Sequence, residues 1–311
     1  MKLAFLYAGQ GTQHPGMGAD LYARCPEFRA VVDGARLDFD LKAAMFSDPD
    51  GVLNQTEYTQ PCMVAFACGL TAVLAGLGIT PDYAAGLSLG EYSALACAGV
   101  FSPEQAVSLA AFRGQVMTKA AQGRPCGMTA VLNLDREKLL AVCRQAREEG
   151  LGVAEIANYN CPGQLVIGGD QAAVDRAAAL AKEAGARRCM PLKVSGPFHT
   201  SLMAPAGDAM AERFRTEPFG EMRIPVLFNC LGREMGPEDT IPALLERQVQ
   251  SSVYMEDTIR RLAQLGVDTV VEIGPGKALS GFVRKTAPDI QIYGVESCAD
   301  VEAVCAALKG E

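Results

Sequence analysis

The chain has 311 residues, 49% of them apolar, enough to bury a large core in one large domain or two unequal ones. A net charge of −8 and an isoelectric point near 5.0 exclude the broad basic field that nucleic acid or an anionic membrane surface would require. Eleven scattered cysteines without a C-x-x-C pair, and only two histidines, support neither a disulfide framework nor a Cys/His zinc site, so no metal is expected and a reducing cytoplasm fits.

The N-terminal apolar run is too short for a signal peptide and continues straight into a glycine loop. Leu3 to Tyr7 predict a short strand, ended by Ala8-Gly9-Gln10-Gly11-Thr12-Gln13. That spacing fits neither G-x-G-x-x-G nor G-x-x-x-x-G-K-[ST], which argues against a nucleotide site and leaves an ordinary turn or a loop facing a site. Pro61 to Ile79 is almost uniformly apolar and long enough to raise a membrane span. It lacks basic flanks and an aromatic belt, and Thr59 with Pro61 reads as a cap and first turn, so the expectation is a helix buried in a globular core.

Tyr83 to Leu87 predict the next strand, which delivers Gly86-Leu87-Ser88-Leu89-Gly90. G-x-S-x-G is the spacing of a nucleophile elbow, because only glycine lets strand and helix backbones approach closely around a strained serine. The turn lifts the Ser88 hydroxyl above the sheet edge, and the N–H of Leu89 is the natural first donor to an oxyanion beside it. Ser102-Pro103-Glu104 starts a further helix. On it Ala106, Leu109, Ala110, Phe112, Val116 and Met117 share one arc, with Arg113 in their midst. A guanidinium there is costly to desolvate unless paired, so it needs an anion from the protein or from a ligand.

Residues 126 to 193 repeat strand and helix patterns in the order βαββαβ, with the last strand over Arg188 to Val194. The expected fold class is α/β. A larger α/β-hydrolase-like domain, 1–125 and 194–311, carries a parallel sheet and the elbow, and a ferredoxin-like domain, 126–193, is inserted in it. Asn158-Tyr159-Asn160-Cys161-Pro162-Gly163 reads as a turn between the inserted domain's middle strands, equally packing or a cleft wall. If Ser88 is a nucleophile it needs a base, and the chain offers only His14 and His199. His199 follows Ser88 in the order of hydrolase-type sites. Thr269 to Lys277 reads as a buried strand breaking into a glycine-proline loop, a sheet end of the kind where ligands collect.

Taken in order, Gly9-Gln10-Gly11-Thr12-Gln13, Gly86-Leu87-Ser88-Leu89-Gly90-Glu91-Tyr92-Ser93-Ala94, Arg113-Gly114, Asn158-Tyr159-Asn160-Cys161-Pro162-Gly163-Gln164, Gly196-Pro197-Phe198-His199, Gln248 and Glu272-Ile273-Gly274-Pro275-Gly276 closely resemble the malonyl-CoA:acyl carrier protein transacylases. The resemblance covers essentially the whole chain. It implies ping-pong acyl transfer for fatty acid synthesis, with Ser88 attacking the malonyl thioester, His199 as general base, and the backbone N–H groups of Gln10 and Leu89 holding the oxyanion. It also implies that the main-chain carbonyl of Gln248 steadies the histidine, that Arg113 grips the free malonyl carboxylate, and that Asn158 and Asn160 support the site. The partners implied are malonyl-CoA and acyl carrier protein. No resident cofactor is implied, since phosphopantetheine belongs to the carrier; a monomer is expected.

Two positions depart from the family pattern: Leu87 stands where histidine usually precedes the nucleophile, and Ala8 replaces a common proline. Phe198 would crowd a branched extender unit. Arg187, Arg188, Arg284 and Lys285 are candidates for a local basic surface toward an acidic carrier. The competing readings are a serine esterase or thioesterase, a free-standing polyketide acyltransferase, and a carrier-binding scaffold with a dead site.

Overall fold

The computed structural model describes residues 1–310, which divide into two compact units. The first comprises Met1–Gly114, Pro218–Phe228 and the chain from Ile259 onward. Its strands are β1 (Leu3–Tyr7), β2 (Tyr83–Gly86), β7 (Val226–Phe228), β10 (Thr269–Ile273) and β11 (Gln291–Val295). They pair in parallel in the order β11-β10-β1-β2-β7. Every residue of β1, β7 and β10 is buried, which is why these strands are continuous apolar runs instead of alternating ones. The loops that leave the carboxyl ends of β10, β1 and β2 therefore emerge side by side, at the edge where open α/β sheets bind ligands.

The long apolar segment is a helix over Thr56–Gly76, with every residue from Thr59 to Leu70 buried. It is long and apolar enough to cross a bilayer, yet it is a core helix, with 78% of its apolar window buried in the protein. It begins a turn earlier than the Thr59 cap expected from Pro61, with Gln55 as its N-cap and Pro61 inside. Packing overrides the proline here. The helix Pro103–Ala121 presses its Gly114 against the first turn so closely that a Cβ would stand 2.8 Å from the Thr56 carbonyl oxygen. That second helix starts as expected: Ser102 Oγ accepts from Gln105 N (3.2 Å) while Gln105 Oε1 accepts from Ser102 N (3.0 Å).

The second unit comprises Gln115–Glu217 and Asn229–Thr258. It holds β3 (Cys126–Leu132), β4 (Ala154–Cys161), β5 (Gln164–Asp170), β6 (Arg188–Pro191), the two-residue β8 (Arg233–Glu234) and β9 (Val253–Tyr254). Its sheet runs β6-β3-β5-β4-β9, antiparallel except that β9 lies parallel to β4. One face packs Val131, Ile156, Leu165 and Ile167 against Leu139, Cys143, Val174 and Leu180 of the helices Arg136–Glu148 and Gln171–Glu183.

The unit is larger than the 126–193 boundary read from the strand and helix pattern. The sheet's other face, Met128, Ala130, Ala157 and Val166, is covered by Met117, Ala121, Phe198, Met203, Ala206 and Val249, which lie outside that boundary in sequence. A strand with two apolar faces needs a cover on both, and the pattern of 126–193 supplies only one. Two further expectations are corrected. Residues 158–161 continue β4 instead of forming a turn, with register shifts before Asn158 and before Cys161. The last strand stops at Pro191, and Leu192 to Val194 are exposed. All eleven cysteines are free thiols.

Candidate active site

Ser88 sits at φ 54°, the left-handed conformation that L residues avoid. What holds it there is backbone close-packing. A Cβ on Gly86 would overlap the main chain of Gly90, and one on Gly90 would overlap the Tyr7 carbonyl at the end of β1. The N–H of Leu87 donates to that same carbonyl (2.9 Å), tying the elbow to the central strand. The helix Gly90–Cys97 follows at once, with Leu89 as its N-cap, and its first amides close back on the elbow, Gly90 N–H donating to the Leu87 carbonyl (3.0 Å) and Glu91 N–H to the Ser88 carbonyl (3.1 Å). The Leu87 side chain packs over Gly9, 3.2 Å from where a Cβ would be, so the residue that replaces the usual histidine fills space against the first loop. In that loop Gln10 is half-buried and anchored by its side chain, Nε2 donating to Thr56 Oγ1 (3.0 Å).

Arg113 is fully buried and reaches Ser88: Nη2 donates to Ser88 Oγ (3.0 Å) and Nη1 to Gln60 Oε1 (2.8 Å). Its guanidinium carbon lies 5.7 Å from the centre of the Tyr92 ring. Burial pulls the pKa of Arg113 down, against the opposing pull of Tyr92 and Glu91. The same burial pushes the Tyr92 phenol well up, while Arg113 lowers it and Glu91 raises it. A desolvated cation is thus aimed at the hydroxyl of a strained serine, where it can bind an anionic group carried on that oxygen.

In the second unit His199 is buried, 4% exposed, and its Nδ1 lies 2.8 Å from the main-chain oxygen of Gln248. A carbonyl only accepts, so Nδ1 is the donor in this contact, and Nε2 is the ring nitrogen that can act as a proton acceptor. The helix Ile241–Gln250 ends two residues beyond Gln248, so this carbonyl lies in the helix's last turn. The negative end of the helix dipole favours the imidazolium formed when His199 takes a proton, by about 0.3 to 1 kcal/mol. The contact fixes the direction in which Nδ1 points.

Phe198 packs in the cluster beneath, with Met128, Val166 and Val249. Asn158 pairs with Val166 across the sheet and so shares its face, half-buried. Asn160 is buried, and its Oδ1 has no hydrogen-bond partner. His14 is exposed in the first unit with Nδ1 3.1 Å from Pro15 O, apart from these contacts. Gln60, Thr56 and Tyr92 were not singled out from the sequence, although a buried glutamine inside an otherwise apolar helix is a signal that could have found Gln60. Among the described residues no group of three or more His, Cys, Asp or Glu side chains is placed to hold a metal ion.

Residues 4–304 match the acyl transferase domain family. The chain is 38% identical over 312 residues to the malonyl CoA-acyl carrier protein transacylase of Bacillus subtilis (strain 168), spanning 100% of this chain and 98% of that relative. The crystal structure of malonyl CoA-acyl carrier protein transacylase from Clostridium perfringens is similar with a TM-score of 0.96 at 36% identity, over 100% of this chain and 98% of that one. A solved type II PKS acyl-carrier protein in complex with its malonyl-transacylase is similar with a TM-score of 0.93 at 34% identity, over 100% of both chains.

Proposed function

Since this chain belongs to the malonyl CoA-acyl carrier protein transacylases within the acyl transferase domain family, we propose that it moves a malonyl group from malonyl-CoA to the phosphopantetheine thiol of an acyl carrier protein by way of a malonyl-Ser88 ester. Ser88 Oγ attacks the thioester carbonyl as His199 Nε2 takes its proton. The tetrahedral oxyanion is held by the N–H groups of Gln10 and Leu89, and collapse expels CoA as its thiol with the proton returned from His199. The carrier thiol then attacks the ester by the same steps in reverse. Both half-reactions are redox-neutral acyl shifts, so proton transfer and oxyanion stabilisation suffice and no resident cofactor takes part.

The observation that carries this reading is the buried guanidinium of Arg113, 3.0 Å from Ser88 Oγ. A malonyl ester on that oxygen ends in a carboxylate two carbons beyond its carbonyl, within the reach of Nη1 and Nη2. An acetyl ester leaves the cation without a substrate anion. An esterase or thioesterase has no use for such a cation beside its nucleophile.

Intact-mass spectrometry of the protein mixed with malonyl-CoA or acetyl-CoA, followed by holo acyl carrier protein, tests the proposal. Malonyl alone should accumulate on Ser88 and then discharge to the carrier. Equal loading of acetyl, or an ester that is lost only to water, would sink it. The likeness to a type II PKS transacylase favours a second reading of pathway, with a polyketide carrier in place of a fatty acid carrier, and the same discharge assay with both carriers separates them.

Within this reading Gln248 orients His199, and Asn158 and Asn160 support the site. The first unit is hydrolase-like, and the strand order β6-β3-β5-β4 with both helices on one face supports a ferredoxin-like second unit. Arg187, Arg188, Arg284 and Lys285, all exposed, are offered to an acidic carrier. We place the reaction in a reducing cytoplasm, where the free thiols persist.

A further inference from the structure

We infer that Glu155 is a positioning residue for His199, holding the segment that carries it through Ser201; this rests on His199 being the general base. His199 has φ 61°, so the imidazole is mounted on backbone that would relax to negative φ if its flanks were loose. The flanks are pinned on both sides. Thr200 Oγ1 donates to the Pro197 carbonyl (2.6 Å), closing the turn around the histidine. Beyond it, Glu155 on β4 accepts twice from Ser201, Oε2 from the main-chain N–H (2.8 Å) and Oε1 from the hydroxyl (2.8 Å).

Ser201 opens the short 3-10 helix Ser201–Met203, so Glu155 takes one of the amides that a helix start leaves without a partner. The Arg147 guanidinium stands 4.0 Å from the same carboxylate. The strand pairing makes the seat specific. Glu155 is opposite Gly168 of β5, and the Thr200 methyl carbon rests 3.1 Å from where a Gly168 side chain would begin. Two consecutive residues after His199 are thus docked on two adjacent strands. With that docking the ring meets the Gln248 carbonyl through Nδ1; without it the turn can unwind and Nε2 swings off its line.

The test compares single-turnover release of CoA from malonyl-CoA by the full-length protein and by its Glu155→Ala, Glu155→Gln, Ser201→Ala, His199→Ala and His199→Ala/Glu155→Ala variants. Glu155→Ala should slow turnover by about 10- to 100-fold with an unchanged KM for malonyl-CoA, the size of effect an ångström-scale misplacement produces. Glu155→Gln, which keeps an acceptor oxygen, should recover most of the rate. Ser201→Ala removes only an exposed hydroxyl, so its smaller loss reads the latch even if Glu155→Ala folds poorly. In the His199→Ala background, Glu155→Ala should cost nothing more.

An equal loss in both backgrounds, or wild-type turnover by folded Glu155→Ala and Ser201→Ala, overturns the inference while leaving the general base in place. Undiminished turnover by His199→Ala would instead overturn the general-base reading and the inference with it.

Discussion

Ser88 and His199 solve the same problem with opposite materials. Both are held at positive φ, at 54° and 61°. Around Ser88 the restraint comes from side chains that are missing: Gly86 and Gly90 let a strand and a helix press together until only one backbone path remains. Around His199 it comes from side chains that are present, in the bonds of Thr200 and Ser201 and the carbonyl of Gln248. Steric restraint is stiff and unforgiving, whereas a hydrogen-bonded mount can be adjusted one bond at a time.

The largest expected effects are on chemistry. His199→Ala should lower single-turnover CoA release by 10²- to 10⁴-fold, the usual contribution of a general base, with the circular dichroism of the folded protein retained. Collapse of the fold instead would mean that this mount is as unforgiving as the elbow. Arg113→Leu should cut the preference for malonyl-CoA over acetyl-CoA by a factor on the order of 10³, read as a ratio of kcat/KM values. A lost rate with an unchanged ratio would assign Arg113 to the serine's geometry alone.

Stability separates the two regions next. Gly90→Ala should cost about 3 kcal/mol in urea denaturation, because its Cβ meets rigid main chain. Gly168→Ala should cost only about 1 kcal/mol, since the neighbour at 3.1 Å is a side-chain methyl of Thr200 that can give way. Equal costs would erase the distinction. Ser88→Gly should be about 1 kcal/mol more stable than Ser88→Ala, because both lose the hydroxyl and only glycine relieves the left-handed backbone.

The smallest effects lie in the pH dependence, and they have opposite signs. Burial raises the pKa of Glu272, against the hydrogen bonds it accepts from Ser280 and Leu279. Its proton is therefore held more tightly in the fold than in the unfolded chain. Its contribution to stability falls as pH rises from the ordinary glutamate range toward the raised folded value, and Glu272→Gln should remove that slope. In the second unit the hydrogen-bonded Arg124 lowers the pKa of Asp170, so that pair stabilises above the ordinary aspartate range and weakens as pH falls through the depressed folded value. Arg124 is half exposed, so added salt should shrink the Asp170 effect, comparing wild type with Asp170→Asn, more than the Glu272 effect.

The contrast also explains what could be read in advance. The elbow was legible because sterics at Gly86 and Gly90 dictate residue identity within five positions. Arg113 was legible as a cation on an apolar arc, and its burial bears that placement out. The extent of the second unit was not, because Phe198, Met203 and Val249 reach its sheet from distant sequence and look like any apolar residues. The start of the core helix was misplaced because Pro61 signals locally, while the packing of Gly114 on Thr56 is tertiary. The latch of Glu155 on Ser201 spans 46 residues and involves two residue types common on any surface.

The oxygen that meets His199 Nδ1 belongs to the main chain, and that changes what mutation can reach. Any residue at position 248 still presents a carbonyl there so long as the helix Ile241–Gln250 ends where it does. An aspartate in that role could be lost through a single codon change; this acceptor can be lost only by shifting the helix end. The vulnerability moves from one position to the whole terminus, where insertions and deletions, more than missense changes, would disarm the histidine.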